Sequence, residues 1–443
     1  MRRICLTLPT NRPCPQAITA LGAEAAYAAE HFDVAVHLLI LDSCDPAGYA
    51  RNAAAVRALP ALPRTVVHHL DERRQRAFLQ RLIGAAGTAK PELMLELMLP
   101  GRLSYGACTN RAFLAAAALG CESVHRRDSD SRYQTVDGRP VLPVHHELRS
   151  LGRRAADAAA GVTETALPAE HLDRRVAMVG ASFVGELSVD IGDIHRRDAG
   201  VYHDVVSLWA PPHWSEEDKR ALVAESFKGA GNEPFTEDHA LLTLVDPMRV
   251  DMCNISFHGV HERVPLPPAT DTIGSDYFLI HLVHDAGLPG VLHNRHIVNY
   301  YTGERRTDAG FTAYQTRFAK FLLSMLHLNH VYDGMSRHGA ALLDRDGEVD
   351  AGAVAGLVRD STRLDDAENV WRLDRLDTSY RKLGGRYAVF AAHLAEHRDR
   401  LLDEARRDME DFALLTEEWG RLVRAARVTP LDAPSGPAPG GPA

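Results

Sequence analysis

The sequence predicts an α/β fold, a mixed sheet flanked by helices with a C-terminal α-helical extension. Two observations predict it. Apolar runs of strand length alternate with helix-length segments over the first 130 residues, and beyond about residue 310 apolar side chains recur every three to four positions. At 443 residues the chain is long enough for two or three units of roughly 150 residues and needs no disulfide staples.

The elements follow in order. RICLTLP (2–8) is a β-type run ending at Pro9, PQAITALGAEAAYAAEHF (15–32) is an Ala-rich helix, and VAVHLLILD (34–42) and RTVVHHL (64–70) are further strands. The helical segment ERRQRAFLQRLIGAAG follows, then SYGACTNRAFLAAAALG (104–120), which ends at Gly120 and feeds CESVHRR before Asp128-Ser129-Asp130. Strands alternating with helices argue for right-handed parallel crossovers. Between 141 and 310, Pro- and Gly-containing loops separate the apolar runs VAMVGASF, ALLTLVD and YFLIHLV, which read as sheet material. Phe311, Tyr314, Phe318, Phe321, Met325 and Leu328 then form a helical stripe, repeated from Leu376 to Phe412, and a stripe of this kind normally serves packing. The expected organisation is a body over 1–305, divided at 130 into a nucleotide-binding and an acceptor-side half. A helical extension for packing or homodimerisation covers 306–427, and a loose Pro/Gly tail runs from 428 to 443.

Composition excludes several classes. Hydrophobic residues at 45% and charged residues at 25% rule out wholesale disorder, and a net charge of −9 offers no attraction to nucleic acid or anionic membrane. No apolar run is long enough for a membrane span, and the Met1-Arg2-Arg3 start precedes too short an apolar stretch for a signal peptide. The six cysteines form no CxxC pair, which fits reduced thiols and a cytoplasmic setting. Arg greatly outnumbers Lys, which occurs only at 90, 219, 228, 320 and 382, as expected of a GC-rich bacterial genome. The 23 histidines invite a metal-enzyme reading, yet the five HxD or HxE pairs scarcely exceed the number expected by chance, and there is no HExxH and no zinc spacing.

The chemistry-bearing residues are Asp128 and Asp130. Two carboxylates one residue apart, at the carboxyl end of a strand, are placed to hold a hard divalent cation that neutralises a diphosphate. Taken alone, such a pair is more often a solvated acidic turn. Four segments in order decide the context, because they resemble the GT-A-fold nucleotide-sugar glycosyltransferases, in particular the broad family 2 type. ICLTLPTNRP is similar to that family's first strand and turn, with Pro9, Thr10 and Asn11 in matching places and Arg12 following. VHLLILDSCD resembles its second strand, whose Asp reads the nucleoside; this implies Asp42 and Ser43. SYGACTNRAFLAAAALGCESVHRRDSD resembles the third, which implies Gly106, Asn110 and Arg111 near the diphosphate and Asp128 with Asp130 at the metal.

The fourth segment, residues 274–305, resembles the acceptor side. There Asp276 takes the place of a general base, and His296 that of a closing metal ligand, with His293 as runner-up and Asn299 or Tyr300 nearer the strict spacing. Asp238, in a second Glu-Asp pair with Glu237, is the alternative base, and Glu186, Asp190 and Asp193 are candidates for the acceptor pocket or for surface loops. The chain departs from the family pattern in the polar strand CESVHRR, in Ser275 where an acid is usual, and in lacking QxxRW. The resemblance implies a metal-dependent transferase using Mn²⁺ or Mg²⁺, a UDP- or GDP-sugar donor and a small-molecule or peptide-like acceptor. A nucleotidyltransferase is the rival on the same fold, although LPTNRPCP lacks the glycines of a triphosphate cradle, and a non-catalytic helical scaffold is the rival outside enzymology.

Overall fold

The computed structural model describes residues 1–186, 191–300 and 303–432. Asp190, and the Pro/Gly tail from 433 onward, lie outside the described residues. Four parallel strands carry the N-terminal half: β1 (Arg2–Thr10), β2 (Val34–Asp42), β3 (Thr65–Leu70) and β4 (Ser123–Arg127). They order as β3-β2-β1-β4, the arrangement of a doubly wound nucleotide-binding half. Beyond β4 the sheet continues with Asn254–His258, antiparallel to β4, then Met178–Gly180, Gly290–His293, Ala240–Thr243 and Glu164–Thr165, making nine strands. The mixed α/β sheet expected from the sequence is therefore present, with a helical C-terminal region.

Local chemistry starts each helix where the sheet needs it. Helix α1 (Pro15–His31) begins on Pro15, and α2 (Pro46–Arg57) follows an Asp45 cap that accepts from Gly48 N at 2.7 Å. Helix α3 (Glu72–Ala86) is capped by Asp71 at its start and stopped by Gly87 at φ +63°, a left-handed turn that glycine adopts without strain. Helix α4 (Pro91–Met98) was not legible as a separate element, while α5 (Tyr105–Ala118) starts on Ser104, whose hydroxyl accepts from Ala107 N. One sheet face packs Ile4, Leu6 and Leu8 against α1. The opposite face packs Leu39, Leu41 and Val124 against α3 to α5 and the C-terminal helices.

The C-terminal region is helical over Asp308–His338, Ala351–Ser361, Ala367–Leu383, Gly385–Glu396 and Arg398–Ala426. It shares one continuous apolar core with the body, so its apolar stripe is buried within the chain, and the sequence argument for a dimer through that stripe falls away. Two expectations are corrected. YFLIHLV is the helix Phe278–Asp285, not sheet: it is buried on almost every side, and burial all round erases the periodicity that separates helix from strand. The chain also stays attached past residue 428. Thr429 Oγ1 donates to Ala425 O, Leu431 is buried, and Arg81 donates to the carbonyls of Pro430 and Leu431.

Candidate active site

The strand order reverses between β1 and β4, and in open α/β sheets the ligand crevice lies at the carboxyl ends on either side of such a reversal. A cavity of about 920 Å³ opens there. Its wall takes Pro9, Thr10, Asn11 and Arg12 from the end of β1, Ser43 from the end of β2, Arg111 from α5, and Asp128, Ser129 and Asp130 from the end of β4. Asp276 and Asn299 from the acceptor-side segment line it too. The β1 turn is held by Thr10, whose hydroxyl accepts from Arg12 N, and by Ser43 N donating to Thr10 O at 2.8 Å.

Arg126 organises the acids. Its guanidinium lies 2.8 Å from Asp276 Oδ2 and 3.1 Å from Asp128 Oδ1, and its Nε is buried without a hydrogen-bond partner. Burial works against the charge on Arg126, but the two carboxylates outweigh it and raise its pKa. Burial pushes Asp128 up to about 6; Arg126 opposes that push, and Asp130, Asp251 and Asp276 reinforce it. Asp276 is likewise raised, by burial first and against the pull of Arg126. Asp130 lies 3.6 Å from Arg12. Four carboxylates thus crowd one wall with Arg126 and Arg12 as the nearby guanidiniums.

This donor set fits a hard divalent cation. Mg²⁺ and its like take one or two carboxylates and complete their shells with substrate phosphate and water, which Asp128 and Asp130 allow. Among the described residues, the one trio of potential ligands already within 4.8 Å of one another is His393, Glu396 and His397, none of which lines the cavity.

Several sequence candidates sit elsewhere. Asp42 does not line the cavity: its carboxylate accepts from Cys44 N, Asn52 Nδ2 and His69 Nε2, bonds that outweigh burial and lower its pKa. It shapes the β2 turn from behind. Gly106 and Asn110 serve packing. A Cβ at Gly106 would lie 1.9 Å from Pro267 O, and the Asn110 amide both donates to Leu266 O and accepts from Leu266 N. Arg111 reaches the wall while donating to Gln75 Oε1 and Met98 O, and burial lowers its pKa.

His296 is not brought to the acids. Its Nδ1 accepts from Ser182 N, and burial lowers its pKa to about 4. His293 stacks on His146 at 5.4 Å, in a separate cluster. Asp238 pairs with Arg295 and His146 outside the cavity; burial is outweighed by those partners, which hold it well below the usual carboxylate range. Glu237 lends only its carbonyl, to Asn294. Asp193 bonds Tyr387, Arg197 and Arg386, and Glu186 is exposed 3.6 Å from Arg306. Of the acceptor-side alternatives, Asn299 lines the cavity, while Tyr300 stacks under Arg132.

Asp251 is the acid that sequence reasoning missed. It lines the cavity, accepts from Cys253 N at 2.9 Å and takes the Tyr277 hydroxyl. The pairing of Asn254 with antiparallel Arg127 carries the chain before 254 past the end of β4, beside Asp128. Only that register reveals it.

No curated protein matches the chain. Among solved structures, that of a mycobacterial protein aligns at TM-score 0.36 and 17% identity, over 73% of this chain and 74% of its own. The mannosyltransferase PcManGT from Pyrobaculum calidifontis, solved with GDP-Man and Mn²⁺, aligns at TM-score 0.32 and 14% identity, over 97% and 88%. Likeness at that level carries no argument about chemistry. No helix among the described residues is long and apolar enough to cross a membrane. Residues 2–435 match the profile described as "Family of unknown function (DUF6271)", and the chain belongs to that family.

Proposed function

We propose that the protein is a metal-dependent glycosyltransferase that moves a sugar from a nucleoside diphosphate sugar to a hydroxyl-bearing acceptor. One observation carries the reading: the β1 turn, the acids ending β4 and Asp276 converge on a single cavity where the strand order reverses. In this reading Pro9 to Arg12 and Ser43 receive the nucleoside, and Arg111 and Arg12 face the diphosphate. Asp128 and Asp130 would hold Mn²⁺ or Mg²⁺, which supplies positive charge for the leaving diphosphate.

Asp276 is the base. Burial raises its pKa, which improves it as a proton acceptor near neutral pH, and the 2.8 Å bond from Arg126 fixes its orientation. As the acceptor oxygen bonds to the anomeric carbon, the bond from that carbon to the phosphate oxygen breaks. Its electron pair leaves with the nucleoside diphosphate, and the hydroxyl proton passes to Asp276. Positioned donors at the leaving group would supply most of the rate, with base catalysis adding about 10² to 10⁴-fold.

Calorimetric titration with UDP, GDP, TDP and CDP, each with and without Mn²⁺, tests this reading. One nucleotide should bind in a Mn²⁺-dependent way, and Asp130→Ala should weaken it about 100-fold, equivalent to roughly 2.7 kcal/mol. Binding that survives the substitution removes the metal assignment. Release of pyrophosphate instead of nucleoside diphosphate during turnover would transfer the protein to the nucleotidyltransferases.

A further inference from the structure

The helix Asp308–His338 does more than pack. Tyr314, Arg317, Phe321, Met325, Leu328 and Tyr332, spaced three or four apart, line the same cavity as the acids. Sequence periodicity reads Tyr314, Phe321, Met325 and Leu328 as packing residues; they are buried in the main core and also form an apolar wall of the cavity chamber. Trp209 and Phe227 continue that wall, Trp209 packed edge-to-face on Phe321 with ring centroids 5.2 Å apart and Phe227 following 5.8 Å from Trp209. Phe227 holds φ at +61°, a left-handed conformation that a bulky residue adopts at a cost, and strain of this kind collects at ligand sites.

The chamber opens onto the base. Gly274, at φ +73°, lets the turn carrying Asp276 lie against Phe321: a Cβ there would be 2.7 Å from the ring. Protein interiors leave few voids larger than a water molecule, and water in an apolar chamber lacks polar partners. A cavity lined both by rings and by carboxylates suits a molecule with an apolar body and a polar group.

We propose that the acceptor is an alcohol carried on an aromatic or aliphatic body, which sits in the chamber formed by Trp209, Phe227 and the Asp308–His338 helix and presents its hydroxyl to Asp276. This rests on the glycosyltransferase reading and names its second substrate class. The probes are 2-naphthol, an aromatic alcohol, and methyl α-glucoside, a polar one, titrated calorimetrically into the full chain. Naphthol should bind and the glucoside should not. Trp209→Ala, and Ala313→Trp at an exposed lining position that leaves the core untouched, should each weaken naphthol about tenfold while nucleotide affinity with Mn²⁺ stays within about twofold. Asp130→Ala should leave naphthol binding in place. Naphthol affinity unchanged in both chamber variants, or glucoside binding as tightly as naphthol, overturns the chamber assignment with the nucleotide reading intact. Naphthol binding without any nucleotide binding in the unaltered protein overturns the transferase reading instead.

Discussion

Arg126 and Arg127 are consecutive on β4, both almost fully buried, and they point to opposite faces of the sheet. Arg127 faces α1, where it forks onto Glu24 at 2.8 and 3.1 Å and reaches Glu147 at 3.0 Å. Glu24 also accepts from Tyr133 and from Val144 N, and Glu147 from His125 at 2.7 Å. Arg126 faces the cavity with Asp128 and Asp276 on it and Asp130 and Asp251 nearby. Burial alone would raise both Glu147 and Asp128. Glu147 is nevertheless pulled down to about 2 by Arg127 and His125, whereas burial keeps Asp128 up at about 6, opposed by Arg126 and reinforced by Asp130, Asp251 and Asp276. Arg127 and His125 match Glu24 and Glu147 in number on one face; on the other, Asp128, Asp130, Asp251 and Asp276 outnumber Arg126 and Arg12. The first cluster is built to hold the fold; the second is the one that the proposed function assigns to a cation.

The largest effect should come from the matched face. Glu24→Ala leaves the buried Arg127 guanidinium with Glu147 as its one remaining carboxylate and should cost about 3–5 kcal/mol in denaturant unfolding, with nucleotide affinity of the folded fraction unchanged. If the loss is under 1 kcal/mol, as for surface pairs, the two clusters do not differ in kind. The open face should answer next: Asp128→Asn should abolish the Mn²⁺ dependence of nucleotide binding while leaving metal-free stability equal or higher. Lower stability in this variant would mean that Arg126 needs that carboxylate as Arg127 needs Glu24.

Proton linkage separates the clusters at smaller amplitude. Glu147, with a folded pKa of about 2 against roughly 4.3 unfolded, stabilises the protein above pH 4.3, and that contribution is lost as pH falls toward 2. Asp128 has the opposite sign. Its folded pKa of about 6 exceeds the unfolded value of roughly 3.9, so the metal-free protein should lose stability as pH rises from 4 to 6. Glu147→Gln should flatten the acid limb of a stability-versus-pH curve, Asp128→Asn the limb between pH 4 and 6, and a swap of those outcomes would reverse the comparison. The smallest change belongs to the exposed Arg74–Asp432 pair at 2.5 Å: Arg74→Ala should cost less than about 1 kcal/mol of thermal stability.

The N-terminal half was legible because its signals are local. β1 to β4 are apolar or bounded by turn residues, and Asp128 and Asp130 stand one residue apart at a strand end. CESVHRR was legible as a departure from an apolar strand, and the cause is now physical: each of its arginines meets buried carboxylates supplied by distant segments. Asp42 misled because a strand-end Asp followed by Ser looks the same whether it faces a ligand or caps its own turn; Asn52 and His69, which occupy it, are far along the chain. His296 misled through spacing, since the bond from Ser182 N that turns its ring away comes from a strand end more than a hundred residues earlier. Periodicity located the stripe from Phe311 to Leu328 but could not distinguish a face that meets core from one that meets a cavity.

The seating of residues 429–431 on Arg81, with the helix Arg398–Ala426 packed on α3 and α5, bears on how the molecule is made. Phe78, Leu79, Leu82 and Ile83 on α3 belong to a core that the last helix completes. During synthesis from the amino terminus, that apolar face emerges more than 300 residues before its cover. Contacts of such sequence separation slow folding and leave that apolar face exposed to aggregation until its cover arrives. For the same reason the first 130 residues, though arranged like a self-contained nucleotide-binding unit, will not serve as an excised module.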